Sequence, residues 1–437
     1  MNPTEILENA FRDLDWLEPL QPGDRLLTEE LFGNFIREVA DELYLCKGRP
    51  HTILLLHGHV GCGKSTFLNC LQADTAINRH FVPVPVFIKK VCDPQDVDAI
   101  DLFLGMTTAA LAVDLPVPLH PKDVPGVVDL YKELKGLVTV EETREQGRQG
   151  KAEATAGVSV PSILSWLKGS FQVNYALSTD VRSKVRETYR PKVGTLIDQA
   201  NQTFEAIETR LGNDRRLLFL VHDTDKPSVA RSLWLFDQQA HLLSQLGVAA
   251  VFVLDKSLAC SGRFSGITTR LGTPQPFPSL KIAESDGRSS EQTRRNRALV
   301  ERFLTRRLPG DSVTTDALRE LINLGGGHCR ETLRLARQST LRAIRRQSPR
   351  VDVVDVDQAA IGRANEFNLT REDWNLLDAI LKNPRWSPPS ADDAVETPRS
   401  AFLGLLNNLA LLEYTNGETK WLRPHPVLIR HFKRPVG

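Results

Sequence analysis

Several features that define specialised protein classes are missing from this sequence. No apolar run reaches the roughly 18–20 residues of a membrane-spanning helix, and the longest, Val248–Leu254, has the length of a buried strand. The first residues, Met1-Asn2-Pro3-Thr4-Glu5, do not show the basic and then apolar pattern of a secretory signal. We therefore expect a cytoplasmic protein with no membrane partner.

Cysteine is scarce and its spacing is uninformative. Neither C-x-x-C nor a Cys/His pattern typical of zinc sites occurs among the six cysteines, at positions 46, 62, 70, 92, 260 and 329. The sequence therefore predicts reduced thiols, without a disulfide framework or a zinc site. Apolar residues make up 41% and charged residues 25% of the chain, which excludes a wholly disordered, collagen-like or coiled-coil protein. At roughly 100–200 residues per domain, the length predicts about two to four domains.

Lysine is absent from residues 287–350, although this segment is the most basic of the chain. It contains fifteen arginines and six acidic residues, a net charge of +9, whereas residues 1–286 carry −6 and residues 366–437 carry zero. A basic block of this size can attract nucleic acid or nucleotide phosphates. It can equally be a solvated helical surface whose arginines pair with acids of the preceding domain. The sequence leaves both interpretations open.

The first 286 residues predict an α/β unit preceded by a helical segment. Residues 1–50 form the helical segment, in which Leu27–Leu45 places apolar side chains four residues apart on one face. Residues 51–286 form the core, because short apolar strands alternate with helical patterns, which is typical of a parallel sheet. We predict strands at 51–56, 81–91, 216–222 and 248–255.

Residues 114–212 interrupt this core and are interpreted as a helical insertion. Its polar part, Thr139–Ser159, has a composition typical of mobile chain. The apolar cluster Val160–Phe171 either packs in the core of the insertion or binds a partner. Val193–Leu211 has the 3.6-residue periodicity of a long amphipathic helix.

The C-terminal third is predicted to be mostly helical. Residues 287–350 contain three helical patterns and form an arginine-rich lid, followed by an acidic strip at 351–357. Residues 366–437 show helix, helix and a hairpin turning at Asn416-Gly417, which is the order of a winged helix. Arg399–Leu411, in the position of a recognition helix, has a single arginine, and the domain is neutral. It is therefore predicted to contact protein, while the lid is the better surface for nucleic acid.

The most specific motif is a phosphate-binding loop, the P-loop, at Gly58-His59-Val60-Gly61-Cys62-Gly63-Lys64-Ser65. It matches G-x-x-x-x-G-K-[ST], follows a predicted strand and opens a helix. The predicted nucleotide-binding residues are Gly58, Gly61, Cys62, Gly63, Lys64, Ser65 and Thr66. The backbone would cradle the β-phosphate, Lys64 would reach the β- and γ-phosphates, and Ser65 would hold Mg²⁺. ATP and Mg²⁺ are thus the predicted cofactors.

Catalysis at a P-loop requires a carboxylate at the end of a neighbouring strand. The apolar strand Leu217–Val221 is followed by His222-Asp223-Thr224-Asp225-Lys226. In one register Asp223 activates water and His222 replaces the magnesium-binding acid. If the strand is one residue longer, Asp223 holds Mg²⁺ and Asp225 acts as the base. Asp223 and Asp225 are both predicted catalytic residues, and Ser65 and Asp223 are the predicted metal ligands.

These motifs and their order resemble the AAA+ ATPases and the related STAND ATPases, most closely the origin-recognition and STAND branch. The run at 217–226 resembles their Walker B motif, and Val248–Asp255 resembles the sensor 1 strand, with Asp255 or Ser257 at the sensor position. Gly325–Leu335 resembles the sensor 2 segment, and the resemblance implies that Arg330 contacts the γ-phosphate. Arg334 and Arg337 are interpreted as surface charges. Arg263 and Arg270 are weaker choices for arginine fingers that act in trans.

The resemblance implies an ATPase that acts as a nucleotide-controlled switch or an oligomeric motor. It would form homo-oligomers and bind a protein partner through the insertion or the winged helix, in DNA transactions such as replication or transposition, or in antiviral defence. Hydrolysis is expected to be slow, because His222 replaces an acid and the usual Walker B glutamate is absent. The alternative is a nucleotide-gated DNA-binding regulator with negligible turnover; a small-molecule kinase is a third, less favoured interpretation.

Overall fold

The computed structural model describes residues 3–47, 52–146, 159–212, 214–387, 398–416 and 419–432. Its centre is a parallel five-stranded sheet with the strand order β2-β3-β4-β1-β5. Long runs of Leu, Val and Phe place β1, β3 and β4 inside, because strands covered on both faces need apolar side chains on both. The strands are β1 (Thr52–Gly58), β2 (Phe81–Phe87), β3 (Arg216–His222), β4 (Ala249–Asp255) and β5 (Thr273–Pro276).

Both edge strands contain prolines. Pro83 and Pro85 lie in β2 and Pro274 and Pro276 in β5, as expected for positions where a backbone donor is dispensable. The structure confirms the predicted strands β1, β3 and β4 and the first part of the predicted strand at 81–91. Residues 88–91 form a short helix instead of strand, and β5 was missed. Four residues with two prolines give no strand signal, and the parallel pairing with β1 alone defines β5.

Two N-terminal helices precede the sheet, α1 (Pro3–Asp13) and α2 (Phe35–Leu45). The predicted continuous helix over Leu27–Leu45 is wrong in its first part. Only a 3₁₀ turn forms at Glu29–Leu31, and Gly33, with φ of +52°, separates it from α2. The α1 helix packs on the lid, whereas α2 packs on the sheet, so the residues between them bridge the two units.

Helices cover both faces of the sheet. One face packs against α2 and α3, and the other against α6 and the insertion. The helices between β1 and the insertion are α3 (Lys64–Ala73), α4 (Thr75–His80), α5 (Ile88–Val91) and α6 (Ala99–Ala110).

The insertion is helical, as predicted. Ile163 and Leu167 are buried in the large core cluster, and the Trp166 ring meets the edge of Tyr131 at 5.2 Å, which places this apolar segment inside the insertion. Most of the polar stretch at 139–159 lies outside the described residues. The helices are α7 (Pro125–Gln146), α8 (Val160–Trp166), α9 (Gln172–Leu177), α10 (Thr179–Tyr189) and α11 (Val193–Leu211), with a π turn at Leu167–Phe171.

Short helices then connect β3, β4 and β5. The chain between β3 and β4 does not form one continuous helix, because a π turn at Trp234–Gln238 interrupts it. The connecting helices are α12 (Val229–Leu233), α13 (Ala240–Leu243), α14 (Lys256–Ala259) and α15 (Phe264–Leu271).

The lid consists of α16 (Glu291–Thr305), α17 (Thr315–Gly325) and α18 (Cys329–Arg345). The acidic strip at 351–357 is not an extended segment, because it starts a further helix, α19 (Val353–Asn365), which packs on α18. Asp352 and Asp355 form its capping box. These acids are therefore helix-capping residues, which explains their spacing.

The C-terminal unit has winged-helix order. Its elements are α20 (Arg371–Lys382), α21 (Pro398–Asn407), β6 (Leu411–Asn416), β7 (Thr419–Pro424) and α22 (Pro426–Phe432). The antiparallel β6–β7 hairpin, called the wing below, is the predicted one, although residue 417 of its predicted turn lies outside the described residues.

The chain is thus an α/β protein with a parallel-sheet P-loop core, a helical insertion, an α-helical lid and a C-terminal winged helix. Over the described ranges, no helix is both long and apolar enough to cross a membrane. All six cysteines are free thiols.

Candidate functional site

The P-loop joins β1 to α3 and has the backbone that its glycines permit. Gly61 and Gly63 have φ of +84° and +110°, in the left-handed region that favours glycine. Gly63 is also the N-cap of α3, so the first free N–H groups of the helix face the loop. A helix N-terminus preceded by such a loop is suited to bind an anion.

Lys64 is buried at the start of α3, with 3% of its surface exposed. Its Nζ donates to the carbonyl oxygens of Gly58 at 2.7 Å and His59 at 2.8 Å, and lies 2.8 Å from Oδ2 of Asp225. Burial acts to lower the pKa of Lys64, but Asp225, Cys62 and Asp255 together outweigh it and raise this pKa above the ordinary value. The ammonium is therefore charged, and protein groups occupy its three donors.

Asp223 and Asp225 follow β3 and differ in position. Asp225 contacts Lys64, whereas Asp223 has a left-handed backbone with φ of +69°. Burial acts to raise the pKa of both carboxyls, and the pKa of Asp223 is raised. At Asp225 the positive charges of Lys64, Lys226 and Arg330 together outweigh burial, so its pKa is lowered. In the described part of the chain, Oδ2 of Asp223 and Oδ1 of Asp225 are buried without a hydrogen-bond partner.

His222 is the last residue of β3 and takes no part in this ion pair. Its ring stacks on Phe87 with the centroids 4.4 Å apart, and burial lowers its pKa to about 4. Position 222 therefore supplies a neutral imidazole ring where the resemblance implies an acid.

Arg330, near the start of α18, lies directly on the P-loop. Its backbone N–H donates to the carbonyl oxygen of Gly61 at 3.2 Å, and its side chain crosses the loop so closely that a Cβ on Gly61 would lie 2.5 Å from Nε. This Nε is buried and has no acceptor among the described residues. Its charge also acts on Asp225. The predicted sensor residue is thus in contact with the predicted loop.

These groups share one cavity of about 290 Å³, close to the lower end of the roughly 300–1,000 Å³ range of ligand pockets. Loop residues 61–66, Asp223, Asp225 and Arg330 form its polar side. Its other side is mainly apolar and comes from the N-terminal segment and the lid. This side includes Trp16, Leu20, Leu27, Phe32, Phe303 and Leu333.

The N-terminal segment was not predicted to line the site. Its backbone is held by α3, because the N–H of Leu20 donates to Thr66 Oγ1 at 3.3 Å and Asn69 donates to the Leu20 carbonyl oxygen at 2.9 Å. Arg307, also unpredicted, lines the same cavity. Nothing in an arginine-rich sequence identifies which arginine is turned inward.

The wing touches the opposite side of the P-loop. The N–H of Glu413 donates to Nε2 of His59 at 3.0 Å, and the Glu413 carboxylate forms an ion pair with Lys256 at the start of α14. Tyr414 donates to the carbonyl oxygen of Gly326, just before α18, at 2.6 Å. A second cavity, of about 380 Å³, lies between the loop and the wing. The winged helix is therefore attached to both the loop and the lid.

The remaining predicted positions are engaged elsewhere or lie on the surface. Asp255 caps α14 by accepting from the Ser257 N–H at 2.8 Å. Arg334 pairs with Glu366, and Arg270 pairs with Asp237. Arg263 is exposed.

Arg337 is not the free surface charge that the sequence suggested. Its guanidinium lies 4.1 Å from the Phe11 ring centroid and 5.3 Å from that of Trp16, and Nε donates to the Phe11 carbonyl oxygen at 3.3 Å. It therefore ties the lid to the N-terminal segment.

No family model matches the chain. No curated protein matches it in sequence. Among solved structures it is similar to Cdc6p from Pyrobaculum aerophilum, with 12% identity over 97% of this chain and 98% of that one and a TM-score of 0.37. It is also similar to Drosophila ORC bound to DNA, with 12% identity over 98% of this chain and 92% of that one and a TM-score of 0.37. A third similar structure is the Walker-type ATPase of Pyrococcus abyssi, with 13% identity over 97% of this chain and 100% of that one and a TM-score of 0.45.

Identity and TM-score are low in all three cases. The fold and the site therefore rest on the strands, helices and contacts described above.

Proposed function

We propose that the cavity beside the P-loop binds ATP and that the chain is a slow ATPase of AAA+ or STAND type, working as a nucleotide-controlled switch. The observation that carries the proposal is the meeting of Lys64, Asp225 and Arg330 at one loop. They come from α3, the end of β3 and the lid. A glycine turn without a ligand would not require a buried lysine, a buried acid and a lid arginine at the same place.

On nucleotide binding, phosphate oxygens would replace protein groups as the hydrogen-bond acceptors of the Lys64 ammonium. In this structure two backbone carbonyl groups and Asp225 use all three of its N–H donors. Since a charged phosphate is a stronger acceptor than a carbonyl group, the incoming β- and γ-phosphates would displace Gly58 and His59 as partners. The N–H groups of residues 61–66 would bind the phosphate oxygens.

The residues also fit a magnesium ion. Ser65, Asp223 and Asp225 supply hydroxyl and carboxylate oxygens, the ligand type that Mg²⁺ prefers, and each carboxylate has one buried oxygen without a partner among the described residues. When bound, the ion neutralises charge on the phosphates. The strand β3 extends to His222, which is the longer register, and for that register the sequence assigned Mg²⁺ to Asp223 and the base to Asp225. The proposal reverses these two roles: the Lys64 contact favours Asp225 as the acid on the magnesium side, which leaves Asp223 to orient the attacking water.

The switch would work through two contacts with the loop. Arg330 would sense the γ-phosphate and transmit its presence to α18, while His59 would transmit changes in the loop to the wing through Glu413. Loss of the γ-phosphate would thus alter the position of the lid and the winged helix. We extend the proposal to a homo-oligomer and to a partner bound through the insertion or winged helix, in a DNA transaction or in defence.

The test measures nucleotide affinity, ATPase rate and mass in solution, with ADP and with a slowly hydrolysed ATP analogue, with and without DNA. We expect micromolar or tighter binding of both nucleotides with Mg²⁺, slow turnover and a change of mass between the two states. Lys64→Ala should abolish binding, and Lys47→Ala, which removes an ion pair with Asp214 away from the loop, is the matched control. No binding by the wild-type chain refutes the proposal.

The second candidate is a DNA-binding regulator gated by nucleotide. It is favoured by exposed lid arginines that, in the described part of the chain, have no acidic partner: Arg294, Arg302, Arg342 and Arg345. DNA affinity measured at two salt concentrations distinguishes the candidates. A steep loss of affinity with salt together with negligible ATPase activity favours the regulator, because phosphate contacts release counterions.

A further inference from the structure

Arg307 follows α16 and is one of the largest fully buried side chains, with 2% of its surface exposed. Its guanidinium lies 4.2 Å from the centroid of the Phe303 ring, and Nη1 donates to the Phe303 carbonyl oxygen at 2.8 Å. Nε is buried without an acceptor in the described part of the chain. Over the same residues, no carboxylate lies within ion-pair distance of it, unlike the other buried arginines, Arg182, Arg186 and Arg363, each of which pairs with an acid.

A buried charge without a counter-charge is costly. Burial lowers the pKa of Arg307 to about 10, and the more distant Asp24 and Asp13 only partly offset this, since Asp13 is already paired with Arg25. The group nevertheless stays charged at neutral pH. An arginine kept in this state fits a role in which an anionic ligand supplies the missing charge.

The position of Arg307 shows which end of the cavity it serves. Lys64, Asp225 and Arg330 interact with one another and define the end for the terminal phosphates. Arg307 packs on Phe303, which belongs to the apolar part of the cavity lining. Its strongest charge neighbour is Cys329, which precedes Arg330 and also interacts with Cys62 of the loop. Arg307 therefore lies between the apolar lining, where a nucleoside fits, and the P-loop.

We propose that Arg307 is the counter-charge for the phosphate next to the ribose, the α-phosphate, in the nucleotide site. This inference rests on the proposed nucleotide binding and adds a residue and a role to it. The α-phosphate is the anionic group of a nucleotide nearest its nucleoside, and a base is neutral. ADP and ATP both carry it, so Arg307 holds the nucleotide in both states, whereas Arg330 distinguishes between them.

The experiment compares wild-type protein with Arg307→Met, Arg307→Lys and the control Arg302→Met, which removes an exposed arginine of α16, the helix that precedes Arg307. Affinities are measured for adenosine, AMP, ADP and a slowly hydrolysed ATP analogue, with Mg²⁺ for the last two. The melting temperature of each ligand-free variant is also recorded.

We expect Arg307→Met to weaken the binding of AMP, ADP and the ATP analogue by a similar factor, about 10- to 100-fold. The affinity for adenosine should be unaffected. Arg307→Lys should recover part of the loss, and Arg302→Met should match the wild type. The melting temperature of ligand-free Arg307→Met should be unchanged or higher, because an unpaired buried charge is replaced by an apolar side chain of similar length.

Three results would overturn the inference. They are unchanged nucleotide affinity in Arg307→Met, equal losses for adenosine and AMP, which indicate a contact with the nucleoside, and a loss confined to the ATP analogue. A lower melting temperature with unchanged affinity shows a purely structural role. Failure of the wild-type chain to bind any nucleotide instead refutes the proposed function itself.

Discussion

The backbone N–H of Glu413, in the wing, donates a 3.0 Å hydrogen bond to Nε2 of His59, inside the P-loop. These residues lie at opposite ends of the sequence, and no motif predicts their contact. Position 59 is a variable position of the loop pattern, so a loop with another side chain there would lack this acceptor. The contact makes the winged helix a direct neighbour of the phosphate site.

Glu413→Gln should loosen the wing. Both Glu413 and its partner Lys256 are buried, and removing one charge of a buried pair costs about 3–5 kcal/mol. We expect faster amide exchange over residues 411–424, measured by hydrogen exchange. Glu372→Gln, an exposed change in α20, should leave exchange unaltered. Equal protection in both variants would show that the ion pair does not hold the wing.

Asp223→Asn and Asp225→Asn should have different effects. Asp223→Asn should leave nucleotide affinity intact and lower kcat by about 100-fold or more, since it removes the group proposed to orient water. Asp225→Asn should weaken the dependence of ATP binding on Mg²⁺. Steady-state ATPase rates and magnesium titrations check both. Unchanged turnover in Asp223→Asn would contradict its assignment.

Gly61→Ala should displace the lid arginine. The new Cβ would meet the side chain of Arg330, and φ of +84° is unfavourable for alanine, so we expect a loss of about 1 kcal/mol or more of stability and weaker discrimination between ATP and ADP. Gly136→Ala, in open space on α7, should instead be neutral or stabilising by about 0.5–1 kcal/mol. A fully stable Gly61→Ala variant with normal discrimination would argue against the contact.

Mild acid should destabilise the fold. Burial lowers the pKa of five histidines, to about 3 for His57 and His328, to about 4 for His222 and His425, and well below the ordinary value for His59. The unfolded chain binds these protons near pH 6.5, so stability is full above that pH. It falls towards pH 4, by about 1.4 kcal/mol per pH unit for each group.

Melting temperatures measured from pH 7.5 to 4.5 check this prediction. His59→Gln, which retains an acceptor but does not titrate, should flatten the lower part of the curve. A melting temperature that stays constant down to pH 5 would contradict the buried, neutral state of these rings.

The elements found from the sequence are those with a strong local signal. The P-loop glycines, the apolar strand β3 and the 3.6-residue periodicity of Val193–Leu211 need no tertiary information. The missed features are tertiary: β5 exists through its pairing with β1, and the wall formed by residues 15–32 exists because α3 holds Leu20.

The site follows the same division. Lys64 and Arg330 were found because glycine-rich motifs mark them. The sequence could not assign the separate roles of Asp223 and Asp225, because they depend on the direction of the turn after β3. That direction is set by the backbone, which is left-handed at Asp223. Arg307 was hidden because fifteen arginines look alike until burial separates one from the others.

The prolines of β2 limit how copies of this chain can associate. Proline has no backbone N–H, so it cannot occupy a position of β2 that donates a hydrogen bond to β3. Pro83 and Pro85 therefore occupy the alternate positions, where an N–H would point away from the sheet. A strand of another molecule that approached the free edge of β2 would find carbonyl acceptors at Pro83 and Pro85 but no N–H donors. The hydrogen bonds between the two strands would therefore be incomplete. Growth of one continuous sheet from molecule to molecule is thereby disfavoured at this side, and a ring or filament that uses this side would form through side-chain contacts.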